Sequence, residues 1–252
     1  MTEKKKIIIG SRGSKLSLAY ANHVKNLLMR SGANLNNNSI EIKIITTSGD
    51  IFANKKISDI GGKGVFCKQI EEELLESKID LAVHSLKDLP TQMTKGLCVE
   101  AVVKRNDPRD AFISNSNKSF FELEPQSKIG TSSFRRHAQI NLLRNDMKIV
   151  AMRGNIDTRI NKLKNKEFDA IVLAFAGIQM LNLGDEVKEI FTIEQMLPAI
   201  GQGVIALQCR DSDENILKIL EKINDKETFY CIQAERALLE AIGGDCDTAI
   251  GG

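Results

Sequence analysis

Four times along this chain an apolar stretch runs into a short polar or glycine-bearing turn and then into a helical pattern: at Arg12, at Ser85, at Thr131 and at Arg153. That recurrence leaves few architectures open. Strands joined through helices lie parallel in one sheet, with helices on both faces. Ligands of such open sheets sit beyond the carboxyl ends of the strands. All four turns therefore fall where a site would form, in an α/β fold with mixed, mainly parallel sheets.

The order of elements predicts two domains. Residues 5–9 read as a strand, Ser11-Arg12-Gly13-Ser14 as a turn with cap residues, and the next segment as a helix with Leu18, Ala21, Val24 and Leu28 on one face and Gly32 after its end. Residues 41–46, 80–83 and 99–103 read as further strands, and Pro90 stops regular structure after the third. A helix with Phe66, Ile70 and Leu74 in line is entered from the flexible loop Gly61-Gly62-Lys63-Gly64. The chain turns at 106–110 and again at 197–203, and between these junctions strands at 128–129, 149–152 and 170–174 alternate with helical patterns. Residues 204–208 are strand-like and could return to the first sheet. Domain 1 is thus expected over 1–104 and 204–222, domain 2 over 105–203, with a cleft between them. Two helices close the sequence, the second with Cys231, Ala234, Leu238 and Ala241 on one face.

Composition excludes several classes. A net charge of +2 over 252 residues gives no global electrostatic case for nucleic acid. Ile7-Ile8-Ile9 is too short for a signal-peptide core and no segment reaches membrane-spanning length, so a cytoplasmic protein without a membrane partner is expected. The five cysteines fit neither a disulfide framework nor a zinc site. Cys67, Cys98, Cys209 and Cys231 read as small buried hydrophobes. The three histidines have no paired spacing, so no metal is expected, and neither a P-loop nor a nucleophile elbow occurs.

The candidate chemistry is anionic recognition. Arg12, Arg135, Arg136, Arg153 and Arg159 lie beside Gly/Ser/Thr turns at strand ends. Helix starts offer free N–H donors and partial positive charge, and guanidinium forks there suit carboxylates or phosphates. Several such places suggest a ligand with several negative groups. Ser14, Thr131, Ser133 and Thr158 add hydroxyl donors or act as helix caps. Asp88 follows a strand and could stabilise a developing positive charge, shuttle protons, or simply form the turn. Lys87 as a Schiff-base lysine is disfavoured by its acidic neighbour. Cys246, in Gly-Gly-Asp-Cys-Asp-Thr, lies between two aspartates that disfavour a catalytic thiolate; it suits covalent attachment better, or is an incidental loop cysteine.

Taken in order, several motifs resemble the porphobilinogen deaminase (hydroxymethylbilane synthase) family over nearly the whole chain. They are Gly10-Ser11-Arg12-Gly13-Ser14-Lys15-Leu16-Ser17-Leu18-Ala19, Gly61-Gly62-Lys63-Gly64-Val65-Phe66, Val83-His84-Ser85-Leu86-Lys87-Asp88-Leu89-Pro90, Asp107-Pro108-Arg109-Asp110-Ala111, the run 130–136, the run 197–203 and Gly243-Gly244-Asp245-Cys246. The resemblance implies an enzyme of tetrapyrrole synthesis that condenses four porphobilinogens head to tail, releases ammonia and yields linear hydroxymethylbilane. It implies a dipyrromethane cofactor on a thioether to Cys246, with Asp88 catalytic. Ser85, Lys87, Asp88, Thr131, Ser133, Arg135 and Arg136 would bind the cofactor. Arg12, Ser14, Arg153, Gly154, Asn155 and Arg159 would serve substrate and the growing chain, with Gln202 and Gly203 at the hinge. Lys63 and Phe66 would belong to a loop over the cleft. The implied fold has two domains like type 2 periplasmic binding proteins, plus a small α+β third domain. Family members extend several dozen residues beyond the cofactor cysteine, so 223–252 would be only the start of that domain, cut short at Gly252. A basic residue frequent in the family after the strand at 170–174 is here replaced by Gln179-Met180. The implied partner is small-molecule porphobilinogen, and the implied state a monomer. The alternatives are a non-catalytic anion-binding protein on the same two-domain plan, or an inactive fragment.

Overall fold

Short β-branched and aliphatic runs make the strands, and amphipathic stretches with polar caps make the helices between them. The computed structural model describes residues 6–33, 35–51, 66–116, 118–244 and 248–252. In chain order the elements are β1 (Ile7–Ser11), α1 (Lys15–Arg30), β2 (Ile40–Ile44), α2 (Ser48–Ile51), α3 (Lys68–Leu75), β3 (Leu81–Ser85), β4 (Leu97–Val102) and β5 (Asp110–Ser114). There follow β6 (Lys128–Gly130), α4 (Phe134–Leu143), β7 (Lys148–Val150), α5 (Ile156–Lys164), β8 (Ala170–Ala174), α6 (Phe175–Met180) and β9 (Glu189–Ile190). The last are β10 (Ile205–Arg210), α7 (Glu214–Glu221) and α8 (Lys226–Ala241).

The chain divides into two units, Met1–Arg105 with Val204–Ala234, and Asn106–Gly203 with Glu235–Gly252. The first holds a sheet in the order β2-β1-β3-β10-β4, the second one in the order β7-β6-β8-β5-β9. In the first, β2, β1 and β3 pair in parallel, and β10 runs antiparallel between β3 and β4. In the second, β7, β6 and β8 pair in parallel, and β5 runs antiparallel between β8 and β9. Each sheet thus has one strand against four, and that strand follows a junction between units. The strand-like stretch after Gly203 does return to the first sheet, as β10.

The parallel order puts the loops after β1 and β3 at one edge of the first sheet, and those after β6 and β7 at one edge of the second. Cores lie beneath them. In the second unit Phe112, Phe120 and Phe191 are fully buried, with ring centroids 5.2–6.2 Å apart in edge-on geometry, an arrangement aromatic quadrupoles favour. In the first, Leu86, Leu89, Val102, Val204 and Ala206 pack with Ile232 of α8.

Helix α8 departs from expectation. Cys231 and Leu238 of the expected apolar face are exposed, and Ile232 and Leu239 are buried instead. Thr228, Ile232 and Leu239 form a rival stripe at helical spacing, and its branched side chains bury more apolar area than Ala234 and Ala241 could. Residues 223–252, expected to open a third domain, are divided between the two units.

Candidate active site

The first unit presents two turns. After β1, Arg12 places Nη2 2.6 Å from Asp50 Oδ1 of α2 and its guanidinium carbon 4.3 Å from the Phe66 ring centre. Thr47 Oγ1 donates to Asp50 Oδ2 at 2.7 Å, which fixes the carboxylate. Burial pushes the Asp50 carboxyl up, but hydrogen bonds from Arg12 and Thr47 hold it below the ordinary value. Gly49 must lack a side chain, because a Cβ there would collide with the Phe66 ring. Ser14 serves as the N-cap of α1, accepting from Ser17 N at 3.2 Å.

The second turn follows β3. Buried Leu86 and Leu89 anchor it, Leu89 N donating to Leu86 O at 3.0 Å. Between the anchors Lys87 is half-buried and Asp88 exposed. Behind them, buried Tyr20 of α1 shares a side-chain hydrogen bond with Ser85. Burial pushes the Tyr20 hydroxyl up to about 12, the Asp88 charge adds to this, and Ser85 opposes it. Cys67 is also pushed up to about 12, by burial and then by Glu71 and Asp88. Beneath the turn, His84 Nε2 lies 3.1 Å from Gln208 Oε1. Gln208 Nε2 donates to Glu71 Oε1 at 2.8 Å, and Thr94 Oγ1 donates to Glu71 Oε2 at 2.8 Å. Because the Gln208 NH₂ is directed at Glu71, its oxygen faces the imidazole, and His84 Nε2–H donates. Burial holds His84 at about 4, against the Gln208 hydrogen bond and with help from the Arg12 charge.

In the second unit the turn after β6 leads to Ser133, which caps α4 by accepting from Arg136 N at 3.4 Å. Thr131 is buried, and its Oγ1 accepts from Ser133 N at 3.2 Å. Arg135 and Arg136, expected to bind cofactor carboxylates, lie buried in the first turn of α4. They share one carboxylate, that of Asp110 at the start of β5. Arg135 Nη2 reaches Oδ2 at 2.7 Å, while Arg136 donates to Oδ1 from Nη2 at 2.7 Å and from Nε at 3.1 Å. Gln202 Nε2 donates to the same Oδ1 at 3.0 Å and to Pro108 O at 2.6 Å. Burial pushes the Asp110 carboxyl up, but Arg136 and Arg135 hold it below the ordinary carboxylate value. Burial lowers the Arg135 guanidinium, Asp110 opposes this, and Arg136 adds to it. One carboxylate against two guanidinium groups leaves an excess positive charge. Arg135 Nε is buried and, among the described residues, has no hydrogen-bond partner.

The turn after β7 contains Gly154 at φ +117°, where a Cβ would meet Thr158 Cγ2 at 2.8 Å. Arg159 Nε donates to Gly154 O at 2.7 Å. Asn155 occupies the N-cap of α5 without a side-chain cap bond and is exposed. Arg153 is half-buried. Gly203 has φ +85°, and a Cβ there would stand 2.5 Å from Asn106 O. Met180 ends α6, half-buried.

Within each unit the expected residues gather at one sheet edge: Arg12, Ser14, Phe66, Ser85, Lys87 and Asp88 in the first, Thr131, Ser133, Arg135, Arg136, Arg153, Gly154, Asn155 and Arg159 in the second. Gln202 lies beside Asp110 and Gly203 beside Asn106. Cys246 and Lys63 lie outside the described residues. Sequence reasoning missed Tyr20, Asp50 and Asp110 as partners of the site. Asp110 stood in a motif, but nothing local distinguishes a turn aspartate from the counter-charge of two arginines a helix away. Among the described residues no cluster of three or more His, Cys, Asp or Glu could hold a metal, and no helix is long and apolar enough to cross a membrane.

Two α/β units with one sheet plan, joined by two junctions, define a fold of the type 2 periplasmic-binding-protein kind. A putative methionine-binding lipoprotein from Bacillus subtilis matches with a TM-score of 0.53 at 12% identity, over 90% of this chain and 93% of that one. The methionine-binding protein MetQ matches with a TM-score of 0.54 at 12% identity, over 92% and 95%. These likenesses speak for the fold alone. Sequence goes further. Residues 7–218 match the family model "Porphobilinogen deaminase, dipyromethane cofactor binding domain". Porphobilinogen deaminases of Syntrophomonas wolfei and Rickettsia bellii are 45% and 48% identical, over 96% and 97% of this chain and 78% and 81% of their own lengths. That of Ehrlichia chaffeensis is 47% identical over 97% of this chain and 81% of its own length. The chain belongs to the porphobilinogen deaminase family.

Proposed function

We propose that the chain is a hydroxymethylbilane synthase, a transferase that joins four porphobilinogens head to tail, releases four ammonias, and hydrolyses the product free as linear hydroxymethylbilane. It acts in the cytoplasm as a monomer, in porphyrin and heme biosynthesis. The observation that carries the reading is Asp88: an exposed carboxylate on a turn anchored by two buried leucines, in a chain whose relatives are named for this reaction. The non-catalytic anion-binding alternative is not favoured by relatives that match over nearly the whole chain.

The residues present fit a carboxylate-bearing dipyrromethane. The Asp110 cluster is electropositive and, among the described residues, Arg135 Nε lacks an acceptor, so a ligand carboxylate would complete it. Cys246 would carry the thioether; Ser85, Lys87, Thr131, Ser133, Arg135 and Arg136 would hold the group, which when bound supplies the pyrrole carbon that primes the chain. Arg12, Ser14, Arg153, Gly154, Asn155 and Arg159 receive the acetate and propionate groups of incoming substrate, and Lys63 and Phe66 cover them. Loss of ammonia from porphobilinogen leaves an electron-poor methylene carbon conjugated with a cationic pyrrole. Asp88 sets a fixed negative charge beside the pyrrole N–H where that positive charge develops, and takes up or returns the proton as each C–C bond forms. Gln202 and Gly203 act at the hinge. Within 223–252, the loop with Cys246 would serve cofactor attachment.

Asp88→Asn tests this. The variant is expected to fold and to carry the dipyrromethane mass on the intact protein, yet to lose about 100-fold or more in kcat. Near-normal turnover would reject the assignment. A covalent mass that persists in Cys246→Ser would reject the attachment site.

A further inference from the structure

A second pair of reactive groups lies away from the turns. Cys98 of β4 and Cys209 of β10 face each other in the antiparallel register, with their sulfur atoms 3.9 Å apart. Directly opposed residues in such a ladder have Cα atoms about 4.5–5.5 Å apart, inside the window a disulfide tolerates. The two sulfurs therefore need side-chain rotation and no change of strand pairing. Cys209 is buried, whereas Cys98 is half-exposed and opens into a groove of about 450 Å³. Glu100, Asp211, Glu214 and Glu221 line that groove against one cation, Lys218. An entrance with this charge attracts cationic reagents and repels anionic ones.

We propose that Cys98 and Cys209 form a reversible oxidation site that small cationic disulfides close into a cross-strand bond. Cys98, the accessible sulfur, attacks as thiolate and displaces one thiolate of the reagent, giving a mixed disulfide. Cys209 attacks the Cys98 sulfur of that mixed disulfide and displaces the second. Two protein S–H bonds are lost, one S–S bond forms, and the two protons end on the two released thiols, so the reagent disulfide is reduced as the protein is oxidised. Burial pushes both thiols up, and Glu100 and Asp211 add to this at Cys98. The pair is therefore slow, a site that answers sustained oxidation and not a catalytic cysteine.

The test uses the cofactor-loaded enzyme carrying Cys231→Ser, which removes the exposed thiol on α8. Treated with cystamine, a dication, the protein should lose two hydrogen atoms in mass. It should also yield linked peptides containing Cys98 and Cys209, raise Tm by roughly 5 °C, and revert with dithiothreitol. Glutathione disulfide, an anion, should react at least tenfold more slowly at low salt, and the gap should shrink at high salt. Adding Cys98→Ser should abolish both the link and the Tm shift. The proposal is overturned if cystamine stops at a mixed disulfide with Cys209 still alkylable after denaturation, or if both thiols stay alkylable. It is also overturned if Cys98→Ser keeps the Tm shift, or if glutathione disulfide matches cystamine.

Discussion

The two units share one sheet plan but place charge differently. By strand order β1 corresponds to β6, β3 to β8 and the antiparallel β10 to β5. In both, a serine caps the helix after the first of these: Ser14 for α1, Ser133 for α4. The next residues diverge, to Lys15-Leu16-Ser17 in the first unit and Phe134-Arg135-Arg136 in the second. The antiparallel strand diverges with them. Ile205 starts β10 opposite Ser85, and Asp110 starts β5 opposite Ala174. The second unit thus has a buried carboxylate at the position where the first has isoleucine, and two buried arginines where the first has leucine and serine. Charge and counter-charge came as a set. The first unit keeps Arg12 partly exposed on its pair with Asp50, and its buried carboxylates Asp80 and Glu71 are met by Arg210 and by the neutral donors Gln208 and Thr94. One plan accommodates either arrangement, and in both the buried carboxylates meet donors that hold them.

The sharpest way to break this comparison is Asp110→Ile, which gives β5 the residue β10 has. Two buried guanidinium groups would lose their partner, at a cost of about 3–5 kcal/mol, read by urea unfolding. Adding Arg135→Leu and Arg136→Ser should recover most of that loss. A single variant that costs less than about 1 kcal/mol would mean that Asp110 is not the hub.

Acid should separate the units next. His84 is held at about 4, below its ordinary 6.5, so the unfolded chain binds a proton that the folded one refuses. The first unit's stability is complete above pH 6.5 and falls as pH drops toward 4, by up to about 3 kcal/mol. Asp110 is lowered too, but from the ordinary carboxylate value. Its contribution is intact above that value and is lost only as pH falls through the lowered one. Between pH 6.5 and 4 the first unit should therefore weaken first. Tm measured against pH tests this: His84→Gln should flatten the slope in that window, and an unchanged slope would assign it elsewhere.

Much of this plan could be read in the sequence. Strand-turn-helix order, the Ser14 and Ser133 caps and the return of the chain after Gly203 all rest on local chemistry: β-branched runs, side-chain oxygens before helices, glycines at turns. The inward turn of Arg135 and Arg136 could not. It depends on Asp110, a quarter of a hundred residues upstream in another element, and no local pattern couples them. Helix α8 misled for a related reason. Two small-residue and large-residue stripes compete on it, and tertiary packing, not periodicity, chose Ile232 and Leu239.

Two glycines at positive φ sharpen the contrast at lower cost. Gly32, after α1, has φ +74° with open space around it, whereas Gly203 has φ +85° with Asn106 O 2.5 Å from a would-be Cβ. Gly32→Ala should cost about 1 kcal/mol, the left-handed backbone alone. Gly203→Ala must also move a backbone carbonyl and should cost about 2 kcal/mol or more. Equal effects would show that the junction yields freely.

The smallest effects concern the two caps. Ser14 accepts from Ser17 N at 3.2 Å and donates to Ser17 Oγ at 2.8 Å, whereas Ser133 accepts from Arg136 N at 3.4 Å. A longer bond stabilises less, so Ser14→Ala should cost about 1 kcal/mol and Ser133→Ala about 0.5 kcal/mol. Activity should reverse the order if Ser133 also holds the cofactor. Its loss would then reduce the fraction of chains carrying the dipyrromethane mass, an effect that a helix cap alone does not produce. A Ser133→Ala protein that is fully loaded and kinetically normal would leave the residue with capping as its whole role. The electropositive cluster around Asp110 would then have to bind carboxylates through Arg135 and Arg136 unaided.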